Sequence, residues 1–200
     1  HEGVAYAASN DILQKTAGQA PKDLDPRLWG LHNTGQQGGK AGADISCGLA
    51  WQHSTGSRNG PIVAVVDTGV DYQHPNLKDN IWTNPQDGNA INGTNDPMDD
   101  DEHGTHCSGT IAAQGLQGVY GVNWQAQVMP VKFLDAHGSG KTSDAIKGLA
   151  FAAEQGARIT SNSWGGTSFN PALRDALANS PCLHIFAAGN ENSDSDATPY

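Results

Sequence analysis

The sequence predicts an α/β protein, with a mostly parallel sheet covered by helices on both faces in three layers. Two observations predict it. Short apolar, β-branched runs read as strands buried on both faces, and helical patterns alternate with them along the chain. Residues 1–60 precede this alternation and are loop-like, rich in Gly, Asn and Pro. Ile62-Val63-Ala64-Val65-Val66 is the first strand. Gly104 to Gln114 is dense in small residues, as suits a helix packed closely within a core. Val128 to Phe133 is the second strand, and its Pro130 suggests an edge or irregular position. Thr142 or Ser143 caps a helix running to about Gln155, with Gly156 placed to end it. Its apolar positions are Ala145, Ile146, Leu149, Ala150, Ala152 and Ala153. Residues 157–163 form the third strand, Asn170-Pro171 opens a helix to about Asn179, and residues 182–188 form the fourth strand.

A chain of 200 residues suits one domain with a real core. Its net charge of −10 would repel a phosphate backbone and an anionic membrane surface, so neither nucleic acid nor membrane is an expected partner. No apolar run approaches the ~20 residues a spanning helix needs. Only 16% of residues are charged, a surface common in secreted enzymes. The three cysteines, Cys47, Cys107 and Cys182, leave at least one thiol unpaired within the chain; a Cys47–Cys182 disulfide is one reading. The stretch from Trp82 to Glu102 carries Asp87, Asp96, Asp99, Asp100, Asp101 and Glu102. It reads either as a solvated loop or as a calcium site, since hard cations want clustered carboxylates and carbonyls. Asn92-Gly93-Thr94 is the only glycosylation sequon.

Open parallel sheets place ligands at the carboxyl ends of their strands. Asp67 ends the first strand, where a lone Asp is ordinarily a turn former or cap. His103, in His103-Gly104-Thr105-His106, stands at a helix start from which it can meet Asp67. An alcohol needs a base to become a nucleophile at neutral pH, and a carboxylate fixes the tautomer of the imidazole that serves. Asn190 follows the fourth strand, where an amide can donate to a developing oxyanion; losing such a donor costs ~2.7–4 kcal/mol. A metal held by His103, His106 and Asp101 is the competing chemistry, because an i, i+3 helical pair can ligate an ion. Cys107 reads as a small buried filler.

Five ordered segments, VAVVDTGVDYQHPNL, DEHGTHCSGTIAA, MPVKFLDAHGSGKTSDAI, ITSNSWGG and FAAGNEN, resemble the signatures of the subtilisin-like serine proteases. The resemblance covers about residues 25–200 and implies a subtilisin-like fold, incomplete at its C-terminus, and a serine endopeptidase acting on polypeptides. It implies Asp67 as triad acid, His103 as general base and Asn190 as oxyanion donor. Gly138-Ser139-Gly140 and Ser163-Trp164-Gly165-Gly166 would be the strands that pair with an extended substrate. Ala187, Ala188, Gly189 and Glu191 would lie along the primary specificity pocket. No cofactor is implied for the chemistry. A structural calcium is common in such proteases, but the Asp that usually ligates it, after His-Pro, is replaced here by Asn76, and the loop from Gln114 to Tyr120 is one residue short.

The family's nucleophile lies in a Gly-Thr-Ser motif well beyond the oxyanion Asn, so it is expected after Tyr200. Gly166-Thr167-Ser168 imitates that motif, but Ser168 precedes Asn190 and is rejected. Residues 1–20 resemble the end of a propeptide, a partner of the enzyme before maturation, and 21–200 the N-terminal part of the peptidase domain. Maturation cleavage is expected within about 11–25, and the product is expected to be secreted. Residues 1–200 alone are expected to expose apolar surface. The alternative function is a non-catalytic binding or regulatory protein on the same scaffold.

Overall fold

The computed structural model describes residues 20–83, 96–166, 168–192 and 194. The expected propeptide end therefore lies outside the described residues apart from Ala20, as do the sequon and part of the acidic stretch. Four parallel strands form one sheet: β1 (Ile62–Asp67), β2 (Gln127–Lys132), β3 (Ile159–Asn162) and β4 (Leu183–Phe186), in the order β2-β1-β3-β4. Among the described residues four α-helices accompany them: α1 (Cys47–Ala50), α2 (His103–Ala112), α3 (Thr142–Glu154) and α4 (Pro171–Ala178). The alternation of strand and helix gives the predicted class.

Period-2 alternation divides the core between the two faces. Ala64, Val66, Met129 and Val131 point to one face, where Ala145, Leu149 and Ala152 of α3 pack on them and Leu173 and Leu177 of α4 flank the cluster. Val65 and Val128 point to the other, against Ala112, Cys107 and Ile111 of α2. Burying one side chain the size of Leu149 contributes ~1.5–3 kcal/mol. The register sets Val65 opposite Pro130 and Asp67 opposite Lys132. Pro130 thus sits in an outer strand, where the missing N–H is tolerated. Gly156, at φ +87°, ends α3 as expected.

Several expectations need correction. Thr142 and Ser143 do not cap α3; the cap is Lys141, in extended conformation without a side-chain bond, and both hydroxyl residues lie inside the first turn. Asp144, in that turn, suits the positive helix end and pairs with Lys147 at 2.9 Å. Asn170 does cap α4, accepting from the Leu173 amide at 3.0 Å. No Cys47–Cys182 disulfide forms. Cys47 is buried with Leu31 and Trp51, while Cys182 donates its thiol to the Ala157 carbonyl at 3.1 Å. The helix α1 interrupts the loop-like region; one turn has no periodicity to read, and it is held because Cys47 and Trp51 pack there.

The two sides of the sheet are unequally covered. In β1 the last four residues are buried, whereas in β4 Leu183, Ile185 and Phe186 are exposed, and α4 buries no residue fully. Apolar surface is therefore open at that edge, as the sequence suggested.

Candidate active site

The carboxyl ends of β1 and β2 and the start of α2 meet at one point. Asp67, the last residue of β1, is fully buried. Its Oδ1 accepts the Thr68 amide at 2.8 Å and meets His103 Nδ1 at 2.7 Å. His103 is the first residue of α2 and its side chain is 47% exposed, so the pair joins a buried carboxylate to an accessible imidazole. Gly104 permits this approach: a Cβ there would overlap the Gly69 carbonyl oxygen and press on the Asp67 side chain. The Gly104 amide instead donates to Thr68 Oγ1 at 2.9 Å.

The hydrogen bond with Asp67 raises the His103 pKa above its ordinary value, against an opposing push from burial; the charges of Asp67, Asp101 and Asp99 add to the rise. Asp67 Oδ2 is buried and accepts no hydrogen bond from protein among the described residues, which strengthens the carboxylate's demand for a positive partner. With Nδ1 committed, the imidazole's other nitrogen is the one able to exchange a proton with a substrate or nucleophile.

Cys107 lies one turn along α2, its Sγ 4.0 Å from His103 Nδ1 and 3.6 Å from Ser163 Oγ. Burial pushes this thiol's pKa up, which disfavours the thiolate a nucleophile requires. The metal alternative does not assemble. Among the described residues, the ligating atoms that converge within 4.8 Å are those of Asp67, His103 and Cys107, and not those of His106 with Asp101. His106 is exposed and lines a cavity of about 920 Å³ together with His103, Asp71 and Asp101.

The two expected substrate segments face a second cavity of about 620 Å³, lined by Gly138, Ser139 and Gly140 on one side and Trp164, Gly165 and Gly166 on the other. Trp164 anchors its segment by donating from Nε1 to the Val66 carbonyl at 2.8 Å. Ser139 is less available than expected, because its amide donates to the Asp135 carboxylate and its carbonyl accepts from the Asp135 amide. Ser163 faces Cys107. Ser168 lines the 620 Å³ cavity and not the one that contains His103. Ala188 and Gly189 follow β4, and Asn190 beyond them is exposed, its backbone N–H donating to the Glu191 carboxylate at 2.8 Å. The fold thus joins Asp67 to His103 and brings the two glycine-bearing segments to one cavity, while Asn190 makes no hydrogen bond to the pair among the described residues.

Asn76 is buried and its side chain is fully engaged. Nδ2 donates to the Val119 carbonyl at 2.8 Å, and Oδ1 accepts the amides of Gln114 and Leu116, each at 2.9 Å. The loop that follows α2 is closed by these bonds, which occupy Asn76 Oδ1 with two backbone amides. Within the described part of the acidic stretch, Asp100 pairs with the buried Lys132 ammonium, which also donates to the carbonyls of Thr68 and Leu134. Asp99 accepts from Thr68, Thr105 and three backbone amides. Thr68, Thr105 and Lys132 are residues that sequence reasoning missed, and it read Asp99 only as a member of the acidic stretch. The nearest signal was the Thr of His103-Gly104-Thr105-His106.

The chain can be set beside known proteins. The model of the subtilase family matches residues 58–200. The cell wall-associated protease of Bacillus subtilis is 37% identical over 114 residues, 56% of this chain and 13% of that protein. The cuticle-degrading serine protease of Arthrobotrys oligospora is 41% identical over 102 residues, 48% of this chain and 24% of that protein. Thermitase of Thermoactinomyces vulgaris is 37% identical over 99 residues, covering 47% and 36%. These matches therefore span well under half of each relative. Among solved structures, a cold-adapted subtilisin-like serine proteinase superposes with a TM-score of 0.69 at 26% identity, over 89% of this chain and 60% of that one. The family model covers well over half of the chain, and the chain belongs to the subtilase family.

Proposed function

We propose that the chain supplies the acid and the base of a serine endopeptidase whose nucleophile comes from sequence after Tyr200. The observation that carries this is the 2.7 Å contact between His103 and a fully buried Asp67, in a chain of the subtilase family. In this scheme His103 takes the proton from a serine hydroxyl as its oxygen attacks the scissile carbonyl carbon. Asp67 stabilises the resulting imidazolium, and Asn190 donates to the oxyanion. The imidazolium then protonates the leaving amine, the C–N bond breaks, and an acyl-enzyme remains. Water, activated by the same imidazole, hydrolyses the ester and restores the serine.

An extended polypeptide would lie between Gly138–Gly140 and Ser163–Gly166, with Ala188 and Gly189 bordering the pocket for the residue before the scissile bond. The shared 620 Å³ cavity and its aromatic residues Phe133, Trp164, Phe169 and Phe186 support an apolar side chain between the two glycine-bearing segments. The proton transfers need no cofactor, and the engaged amide of Asn76 supports a loop closed without calcium. Residues 1–20 as the end of a propeptide, and secretion of the product, complete the proposal.

The test uses the full-length protein. Casein hydrolysis should persist in chelator, stop on stoichiometric labelling by a serine-directed phosphonylating reagent, and fall at least ~10⁴-fold in kcat in His103→Ala. Activity that survives the phosphonylating reagent, or that His103→Ala retains, would sink the proposal.

A further inference from the structure

We propose that Asp99 is a positioning residue of this site: its carboxylate ties the end of β1 to the start of α2 and so sets His103 against Asp67. The proposal rests on the proton-transfer roles given to those two residues. A helix leaves its first amides without partners, and α2 gains none from its own cap, because Glu102 stands at φ 114° without a side-chain bond. Asp99 fills that role from outside the helix. Its Oδ1 accepts the amides of Asp101 and Glu102, each at 3.1 Å, and the Thr68 hydroxyl at 2.8 Å. Its Oδ2 accepts the Thr105 amide at 2.9 Å and the Thr105 hydroxyl at 2.5 Å.

The two hydroxyls extend the tie in both directions. Thr68 Oγ1 accepts the Gly104 amide, and Thr105 Oγ1 accepts the Asp71 amide at 2.8 Å. The partners on the β1 side, Thr68 and Asp71, begin immediately after Asp67. The partners on the α2 side, at 101, 102, 104 and 105, bracket His103. Its neighbour Asp100 pins the same loop to Lys132, which lies opposite Asp67 in the sheet register. Burial pushes the Asp99 pKa up, but the bonds from Thr105, Glu102 and Thr68 outweigh it and hold the carboxyl below its ordinary range, so it is ionised at neutral pH.

The experiment compares Asp99→Ala, Thr105→Val and Thr105→Ser in the full-length protease. It reads kcat and KM separately and records the downfield proton resonance of the His103 Nδ1–H bound to Asp67. Displacing a reacting group by about 1 Å costs on the order of 10²-fold. Asp99→Ala and Thr105→Val are expected to lose about that much in kcat with KM nearly unchanged, and to lose or shift the Nδ1 resonance. Thr105→Ser, which keeps the hydroxyl, is expected to restore both. If Asp99→Ala does not fold, the contrast between Thr105→Val and Thr105→Ser decides. An unmoved Nδ1 resonance in folded Asp99→Ala or Thr105→Val, or a lowered melting temperature with unchanged kcat, overturns the proposal. Failure of the peptidase reading would show differently, as an inactive parent protein in which the Nδ1 resonance still depends on Asp99.

Discussion

The β1–α2 half and the β4–α4 half of the sheet are built from the same kinds of residue to different degrees of completion. Around β1, Asp67 is fully buried against His103, Gly104 allows close approach, and hydroxyls and amides connect strand end to helix start. Around β4 the same apolar residue types are exposed, Leu183 at 62% and Ile185 at 51%. The difference separates two tasks. The pair proposed for proton transfer is held by contacts within residues 67–105. The surfaces proposed for the oxyanion and for substrate side chains stand at an edge that lacks cover on its apolar side chains.

Core truncations test that contrast most strongly. Leu149→Ala, in the closed half, should cost about 2–5 kcal/mol in urea unfolding of the full-length protein. Leu183→Ala in residues 1–200 should change stability by less than about 0.5 kcal/mol, as surface substitutions do. The same Leu183→Ala change in the full-length protein should cost as much as a core truncation if further sequence covers β4. A near-neutral Leu149→Ala would break the comparison, and a near-neutral Leu183→Ala in the full-length protein would show that the edge is open in the whole protein.

A smaller effect concerns pH. His184, on β4, meets Thr160 Oγ1 at 2.7 Å through Nδ1, and burial pushes its pKa below the ordinary 6.5. Below that value the unfolded chain takes up the proton first, so this residue's contribution is present above about pH 6.5 and is lost as pH falls toward the folded pKa. Unfolding midpoints measured at about pH 7.5 and 5.5 should therefore converge in His184→Gln relative to the parent. An unchanged pH dependence in that variant would remove His184 as a cause.

Much of this was legible from residue order. β1 and α3 announce themselves by an apolar β-branched run and by helical spacing, and those signals are local. Asp67 and His103 were legible as partners because each ends or begins a regular element at the carboxyl edge of the sheet. The Asp99 network was not, because its bond to Thr68 spans 31 positions and an acidic loop looks the same whether its carboxylates face water or amides. The capping of α3 was misread because Thr142 and Ser143 carry capping side chains at positions already inside the helix. The bonding of Asn76 was hidden for the same reason: the amide's partners lie 38 to 43 positions away, beyond α2, at Gln114, Leu116 and Val119.

The central claim is that buried Asp67 holds His103 as a proton acceptor, and the titration of His103 tests it most directly. Its imidazole resonances, assigned by their loss in His103→Gln, should be followed against pH in the full-length protein with and without Asp67→Asn. The account predicts a pKa above the ordinary 6.5 in the parent and a fall when the carboxylate is neutralised. A parent value at or below 6.5, or one indifferent to Asp67→Asn, would contradict it.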